Sequence, residues 1–156
     1  MAKVAIALAL IGWCVLAARR FDRYFPLTLP GLVRPLGFAL MLAGAVLVLY
    51  CGAILSTRGI LSRGDRLFPA EFVAFGPFRY ARNPMSLGGV TLFLGLALVT
   101  QSVSVLLVTL LIFVVMHLNV VYVEEPGLEK RFGNSYRDYK RAVNRWLPSY
   151  GAINRR

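Results

Sequence analysis

Two short stretches of this chain combine residue types that can bind or transfer a small charged group. The first, GPFRYARNP, covers residues 76–84 and holds two prolines, two arginines, two aromatic residues and an asparagine. The second is the adjacent pair Glu124 and Glu125, which ends a long apolar run. Ionisable residues beside or within such runs usually have a function, because they are costly there without one. These two stretches therefore form our candidate binding site.

The first stretch predicts a helix start with free backbone amides. Asn83 precedes Pro84 and is biased away from helical backbone, so a helix is expected to begin at Pro84 or Met85. The amides of Met85, Ser86 and Leu87 would then face the preceding loop and bind a carboxylate or another anion. A simple helix start after a turn, without a ligand, is the alternative.

The glutamate pair allows two interpretations. If Pro126 starts a new helix at its first position, Glu125 caps that helix and the pair needs no ligand. Alternatively, a carboxylate at the mouth of a cavity binds a polyhydroxylated or cationic ligand. We favour the second interpretation.

His117 and Asn119 lie up to about two helical turns before the pair. His117 is open to three roles: a proton relay, a ligand contact or an interhelical hydrogen bond. Because no second His or Cys lies nearby at ligand spacing, we expect no metal site. Cys14 and Cys51 both lie in apolar segments and are interpreted as packing residues.

The composition indicates a membrane protein with a single domain, 1–156. Of its 156 residues, 58% are hydrophobic and only 16% are charged, whereas soluble domains have about 45–50% apolar and about 25% charged residues. The net charge is +11. Its basic residues flank the apolar runs, so we expect them to contact anionic lipid headgroups and not nucleic acid.

The fold class expected is an all-α integral membrane protein, because backbone groups in lipid must be satisfied within helices. The sequence predicts four membrane spans, a polar loop and a tail: 4–18, 36–55, 85–99 and 103–123, with the loop at 56–84 and the tail at 124–156. Only Thr100, Gln101 and Ser102 separate the last two spans. These spans should form a hairpin, which would bring Asn83 close to Glu124.

Lys and Arg are abundant in the central loop and the tail, which places both on the cytoplasmic side. The first loop is also basic, against this rule. The first span ends in Arg19-Arg20 without a small-residue cleavage site, so we interpret it as a retained span and not a signal peptide. A prokaryotic chain would therefore lie in the cytoplasmic (inner) membrane with its site facing the cytoplasm.

The tail contains apolar and aromatic residues at helical spacing between basic ones: Leu128, Phe132, Tyr136, Tyr139, Val143 and Trp146. This pattern predicts an amphipathic helix in the membrane interface. We expect a break near Phe132-Gly133-Asn134 and an end at Leu147-Pro148. A mere anchoring role is the alternative.

Two segments, GPFRYARNPMSLG and EEPGLEKRFGNSYRDYKRAVNRWLP, resemble membrane methyltransferases related to isoprenylcysteine carboxyl methyltransferase and the phospholipid N-methyltransferases. In that superfamily the first segment opens a helix, and the second ends the last hairpin and begins the tail. The resemblance covers about half of the chain, from Pro69 to Pro148. It implies that the protein transfers a methyl group from S-adenosylmethionine to a lipophilic acceptor.

The resemblance also assigns site residues. The cofactor contacts that it implies are Glu71, Phe72, Val73 and Phe78 for adenosine, Asn83, Pro84, Met85 and Ser86 for the methionine end, and Glu124. The candidates for catalysis are Arg82 and Glu124. The candidates on the acceptor side are His117, Asn119 and Val120.

Three departures from the prenylcysteine enzymes bear on the acceptor. Asn83 stands where those enzymes have His, and Ser86 replaces the usual Tyr. Val120 occupies the position of an Arg that pairs with the substrate carboxylate. Without that cation a buried carboxylate is costly, so we expect a neutral amine, thiol or hydroxyl on a lipid-like molecule.

Several alternatives remain at this point. A phospholipid amine and a prenyl or other carboxyl group are alternative acceptors. A catalytically silent membrane scaffold and a reductase of the sterol-reductase architecture are alternative protein classes. A nicotinamide cofactor would need more basic contacts for its phosphates than the site offers, which disfavours the reductase.

Overall fold

The computed structural model describes residues 20–24, 30–57 and 73–148, and the regular structure within these ranges is helical. The predicted span 4–18, with Cys14, and the cofactor candidates Glu71 and Phe72 lie outside the described residues. In the part of the chain that the structure describes, three apolar helices precede the tail: α1 (Val33–Thr57), α2 (Pro84–Thr100) and α3 (Val103–Asn119). The first two confirm the predicted helices 36–55 and 85–99 and extend each slightly at both ends.

Within the described residues two helices are long and apolar enough to cross a membrane, Val33–Ser56 and Val103–Phe132. The helix α2 is also apolar but shorter, at 17 residues. Large apolar side chains of the longer helices are exposed, for example Leu49 on α1 and Leu111 on α3. Such faces fit contact with lipid and not with water.

The helix that begins at Val103 does not end at Val123, where the last membrane span was predicted to end, and that membrane boundary stays a prediction. It continues through a π-helical turn, Val120–Glu124, into a further helix, α4 (Glu125–Phe132). A π turn contains one residue more than an α turn and is often found at functional sites. The first stretch of the candidate site therefore leads into α2, and the glutamate pair lies at the end of this π turn.

The π turn lies directly upstream of Pro126. This proline has no N–H, and in a regular α-helix its ring would clash with the carbonyl four residues earlier. In the π turn the Glu125 N–H donates instead to the Val120 carbonyl, five residues earlier. Glu125 is the first residue of α4, and the N-cap position is taken by Glu124, which makes no side-chain capping hydrogen bond. The interpretation of Glu125 as a helix cap is therefore wrong.

The chain folds as two compact units: residues 1–43 with 90–114, and residues 44–89 with 115–156. In the first unit α1 and α2 touch through glycines, and a Cβ on Gly95 would lie 2.5 Å from the Gly37 carbonyl oxygen. In the second unit a Cβ on Gly88 would lie 3.0 Å from the Gly44 carbonyl oxygen. Only residues without side chains allow backbones to approach this closely.

The polar turn at residues 100–102 joins α2 to α3 in the first unit, as predicted. At the start of α3, the Ser102 hydroxyl accepts a hydrogen bond from the Val105 N–H at 3.0 Å. The Asp22 carboxylate accepts another from the Ser104 N–H, also at 3.0 Å. These caps satisfy two of the amides that a helix start leaves unpaired.

The tail continues in the second unit with α5 (Asn134–Ala142). The predicted break is confirmed at Gly133, whose φ of +55° is a conformation that glycine adopts easily. The predicted end at Leu147-Pro148 is wrong. The helix ends at Ala142, because the chain after it is extended and pairs its backbone with another segment.

The apolar stripe of the tail packs largely against protein. Tyr136, Tyr139 and Val143 are buried together, and Leu128 and Phe132 pack against them. The predicted periodicity is therefore present, although most of the stripe is used for packing within the second unit. Contact of this helix with the membrane interface stays a prediction.

Candidate functional site

The segment before α2 is held against α1 within the second unit. Val73 is buried with Ile54, and Phe78 packs against them. Gly76 has φ of +60°, and a Cβ there would lie 3.0 Å from Ile54 Cδ1. It begins a single 3-10 turn, Gly76–Arg79. The glycine thus lets this turn, which carries Phe78, lie close to α1.

A groove of about 450 Å³ runs along this turn and is lined by Tyr50, Gly76, Pro77, Arg79 and Tyr80. Small-molecule sites typically have volumes of about 300–1,000 Å³. The groove has both aromatic surface and a cationic side chain beside Phe78, the predicted adenosine contact. It is therefore large enough to take part of a nucleoside.

The start of α2 presents polar groups without partners. The Asn83 carbonyl accepts the first helical hydrogen bond from the Leu87 N–H at 3.0 Å. Within the described ranges no acceptor meets the backbone N–H groups of Met85 and Ser86, and no hydrogen bond forms at the side-chain amide of Asn83 or the Ser86 hydroxyl. These groups are the ones predicted to bind an anion.

Glu125 is the centre of a buried ionic cluster. Its Oε1 lies 2.8 Å from Arg82 Nη1 and 2.6 Å from Arg145 Nε. Its Oε2 lies 3.0 Å from Arg145 Nη2 and 3.5 Å from Lys140 Nζ. We call these four residues the Glu125 cluster. The hydrogen bonds and the charge of Glu125 raise the pKa of Arg145, which therefore stays protonated.

The contact between Arg82 and Glu125 spans 43 positions of the sequence. It brings the two stretches together, as the predicted hairpin required. Asn83 and Glu124 each lie one residue from this contact. The predicted closeness of the two stretches is therefore confirmed.

Glu124 and Glu125 differ in their surroundings although they are adjacent. Glu125 is 3% exposed and engaged by three cationic side chains. Glu124 is half-buried, and in the part of the chain that the structure describes no ion pair or hydrogen bond engages its carboxylate. Arg82 has a similar unfilled position, since its buried Nε lacks a hydrogen-bond partner there. Glu124 therefore stays available for a ligand.

The extended chain after α5 forms a third side of the site. The Arg82 N–H donates to the Asn144 carbonyl at 2.9 Å, and the Asn83 N–H donates to the Arg145 carbonyl at 3.3 Å. Sequence reasoning missed this role of Asn144 and Arg145. The signal was present in NRWLP at the end of the second motif, but its basic residue looks like the others of the tail.

Two buried tyrosines connect the tail to the segment before α2. The Tyr139 hydroxyl donates to the Phe78 carbonyl at 2.5 Å. Burial raises the pKa of Tyr136 to about 12, and the Glu125 charge acts in the same direction. Burial also raises the pKa of Tyr139. Both side chains therefore remain neutral hydrogen-bond donors near neutral pH.

Of the candidates on the acceptor side, His117 has a defined partner. The Trp146 indole N–H donates to His117 Nδ1 at 3.1 Å. An indole nitrogen can only donate, so Nδ1 carries the lone pair and the proton of a neutral ring lies on Nε2. Asn119 is exposed, and Val120 is 1% exposed. Their contact with an acceptor stays a prediction.

The protein is thus a helical membrane protein with a polar site between the start of α2 and the glutamate pair at the π turn. The sequence model of the family described as phospholipid methyltransferase matches residues 32–135, which include the first segment and the start of the second, Glu124 to Ser135. The chain belongs to this family of membrane methyltransferases. Comparison with curated proteins and with solved structures gives no match.

Proposed function

We propose that this protein is an S-adenosylmethionine-dependent methyltransferase that methylates a lipophilic acceptor at the membrane. One observation carries the proposal: the contact of Arg82 with Glu125 joins the two segments of the family motif and leaves unpaired polar groups on both. The donor site would lie between the start of α2 and Glu124. The proposal would be refuted if the protein did not bind S-adenosylmethionine.

The residues present suit the methionine end of this cofactor. Its carboxylate matches the amides of Met85 and Ser86, the Asn83 side chain and the buried Nε–H of Arg82, since all are donors without partners in the described ranges. Its amino group matches the unpaired carboxylate of Glu124. Pro84 is buried and supports the helix start.

The adenosine side is supported by the aromatic groove beside Phe78. The Val73 side chain is only 8% exposed and packs on Ile54, so its contribution is to hold Phe78 in place. Glu71 and Phe72 stay predictions for this side. The volume of the groove and its Arg79 fit a nucleoside with polar substituents.

When bound, the cofactor supplies an electrophilic methyl group on its sulfonium sulfur. The side chains of this protein bind and orient it and exclude water, which suffices for a displacement that needs little acid–base help. Arg82 belongs to the Glu125 cluster and so acts by binding, not by proton transfer. His117 Nδ1 is engaged as well, since it accepts a hydrogen bond from the Trp146 indole N–H.

The acceptor is proposed to be uncharged at the methylated atom. Val120 is buried and apolar where the prenylcysteine enzymes have an arginine, so no cation stands there to pair with a carboxylate. A phospholipid amine agrees with the family description and is the first acceptor to test. We further propose the four-span topology with a cytoplasmic site and a basic tail at anionic headgroups.

The experiment measures binding of S-adenosylmethionine to the purified protein in lipid nanodiscs, by calorimetry. We expect saturable binding that Glu124→Gln weakens about tenfold, the loss of about one charge-assisted hydrogen bond. Asp138→Asn is the matched control, because this carboxylate on α5 is 74% exposed and pairs with Arg141, which is not a member of the Glu125 cluster. No saturable binding at millimolar donor would favour the silent scaffold. If the protein binds the donor, incubation with radiolabelled donor followed by extraction of the lipids would identify the acceptor.

A further inference from the structure

Arg145 lies beyond the family-matched residues 32–135, yet its side chain holds one of the two segments of the candidate donor site. Its Nε donates to Glu125 Oε1 at 2.6 Å, and its Nη2 donates to Glu125 Oε2 at 3.0 Å. Two parallel bonds between a guanidinium and a carboxylate fix their orientation more strictly than one bond does. Arg145 therefore orients the residue directly next to Glu124.

The main chain of the same residue holds the other segment. The Arg145 carbonyl accepts the Asn83 N–H at 3.3 Å, one residue after the bond between Arg82 and Asn144. Arg82 completes the connection with its own contact to Glu125 at 2.8 Å. Arg145 thus touches Asn83 through its backbone and Glu125 through its side chain.

The cluster keeps its charge compensation without Arg145. Glu125 would still have Arg82 at 2.8 Å and Lys140 at 3.5 Å. A buried carboxylate without any partner is strongly destabilising. Glu125 would not be left in that state, because two cations remain beside it. Neutralising Arg145 is therefore expected to loosen the geometry of a chain that still folds.

We propose that Arg145 is a positioning residue of the donor site, which fixes Asn83 and Glu124 relative to each other without touching the donor. The inference rests on the proposed function and extends the donor site to a residue outside the family-matched region. It also gives the tail a role besides anchoring, since the chain after α5 becomes a part of the site.

The first test follows hydrogen–deuterium exchange of the peptide that contains Arg82 and Asn83, in protein without donor. Arg145→Gln should increase exchange of these two amides, because their acceptors at residues 144 and 145 are no longer held by the bond to Glu125. Arg141→Gln is the matched control, with the same charge change at a tail arginine whose side chain is 80% exposed. It should leave exchange of this peptide unchanged.

The second test compares donor affinity in the same variants. Arg145→Gln should weaken S-adenosylmethionine binding about tenfold, which corresponds to one misplaced charge-assisted hydrogen bond to the donor. Arg145→Lys keeps the charge but not the fork, so it should lie between wild type and Arg145→Gln. Arg141→Gln should match wild type, and the KM for the acceptor should not change in any variant.

Either of two results with Arg145→Gln would overturn the inference: donor binding equal to that of wild type, or unchanged exchange at Arg82 and Asn83. Full restoration by Arg145→Lys would also overturn it, since charge alone would then suffice. A wild-type protein that binds no donor refutes the proposed function and this role together. Wild-type binding with unaffected Arg145→Gln refutes only the inference.

Discussion

Arg82 and Glu125 form an ion pair at 2.8 Å with side chains that are only 10% and 4% exposed. The pair joins the start of α2 to the start of α4 and so connects the two segments of the family motif. A pair this well buried gains little over apolar packing, yet it is costly to break, because the remaining charge has no water. Its two members should therefore be sensitive to single substitutions.

Glu125→Gln should destabilise the protein by about 3–5 kcal/mol, since it leaves the buried charge of Arg82 uncompensated. Glu124→Gln should leave stability unchanged or slightly higher, because it removes repulsion between adjacent carboxylates. Thermal or denaturant unfolding in detergent measures both variants. Equal losses of stability in the two variants would contradict the assignment of Glu125 as the structural carboxylate and Glu124 as the one available to a ligand.

Gly95→Ala should destabilise the packing of α1 on α2 by about 1–3 kcal/mol or more, because the new Cβ meets backbone that cannot move aside easily. The distance to the Gly37 carbonyl oxygen would be 2.5 Å. Gly89→Ala on the same helix is the control, since nothing lies within 4 Å of a Cβ there. Replacing glycine at an open helical position is neutral or stabilises by about 0.5–1 kcal/mol. Similar melting temperatures in both variants would contradict the close approach.

Tyr139→Phe should lower stability by about 1 kcal/mol, because it removes the hydrogen bond to the Phe78 carbonyl. Under the proposed function it should also weaken donor binding, since Phe78 then lacks its support from the tail. Tyr122→Phe is the matched control, as this side chain is 74% exposed. Donor affinity equal to that of wild type would argue that Phe78 does not need this support.

Alkaline titration should reveal Tyr136. Burial raises its pKa to about 12 from an ordinary value near 10. Above pH 10 the unfolded chain releases this proton first, so stability is full below pH 10 and falls from pH 10 to about 12. Tyr136→Phe should make the decrease in stability shallower and remove the step in tyrosinate absorbance that Tyr136 contributes near pH 12. Absorbance at 295 nm with parallel unfolding curves measures both, and an unchanged slope would contradict this contribution.

The sequence predicted α1, α2 and the turn at 100–102 because apolar length and polar interruptions determine them locally. It also predicted that Asn83 would lie near Glu124, because a hairpin returns the chain to its starting level. The π turn could not be predicted, since it depends on how burial and Pro126 act together at one position.

The different environments of Glu124 and Glu125 were equally hidden. Which of two adjacent carboxylates meets the cations depends on where α5 places Lys140 and where the extended chain after it places Arg145. In the sequence Arg145 looks like Arg141. In the folded chain, in which Tyr136 and Tyr139 pack into the second unit, the two differ: the Arg145 side chain is 26% exposed and that of Arg141 is 80% exposed. Tertiary contacts, not local pattern, made the difference.

The π turn has a consequence for the faces of its helix. Val120 and Glu125 are both buried, although five residues separate them, because the additional residue rotates the chain by about 100° relative to a regular α-helix. A regular α-helix through the same residues would turn Glu125 away from its arginines, towards the face that carries Leu118 and Tyr122. Removing one residue from Val121–Val123 would instead leave Glu125 four positions after Val120 and on the same face. The wide turn thus lets the helix accommodate one more residue while it still directs a charge into the protein interior.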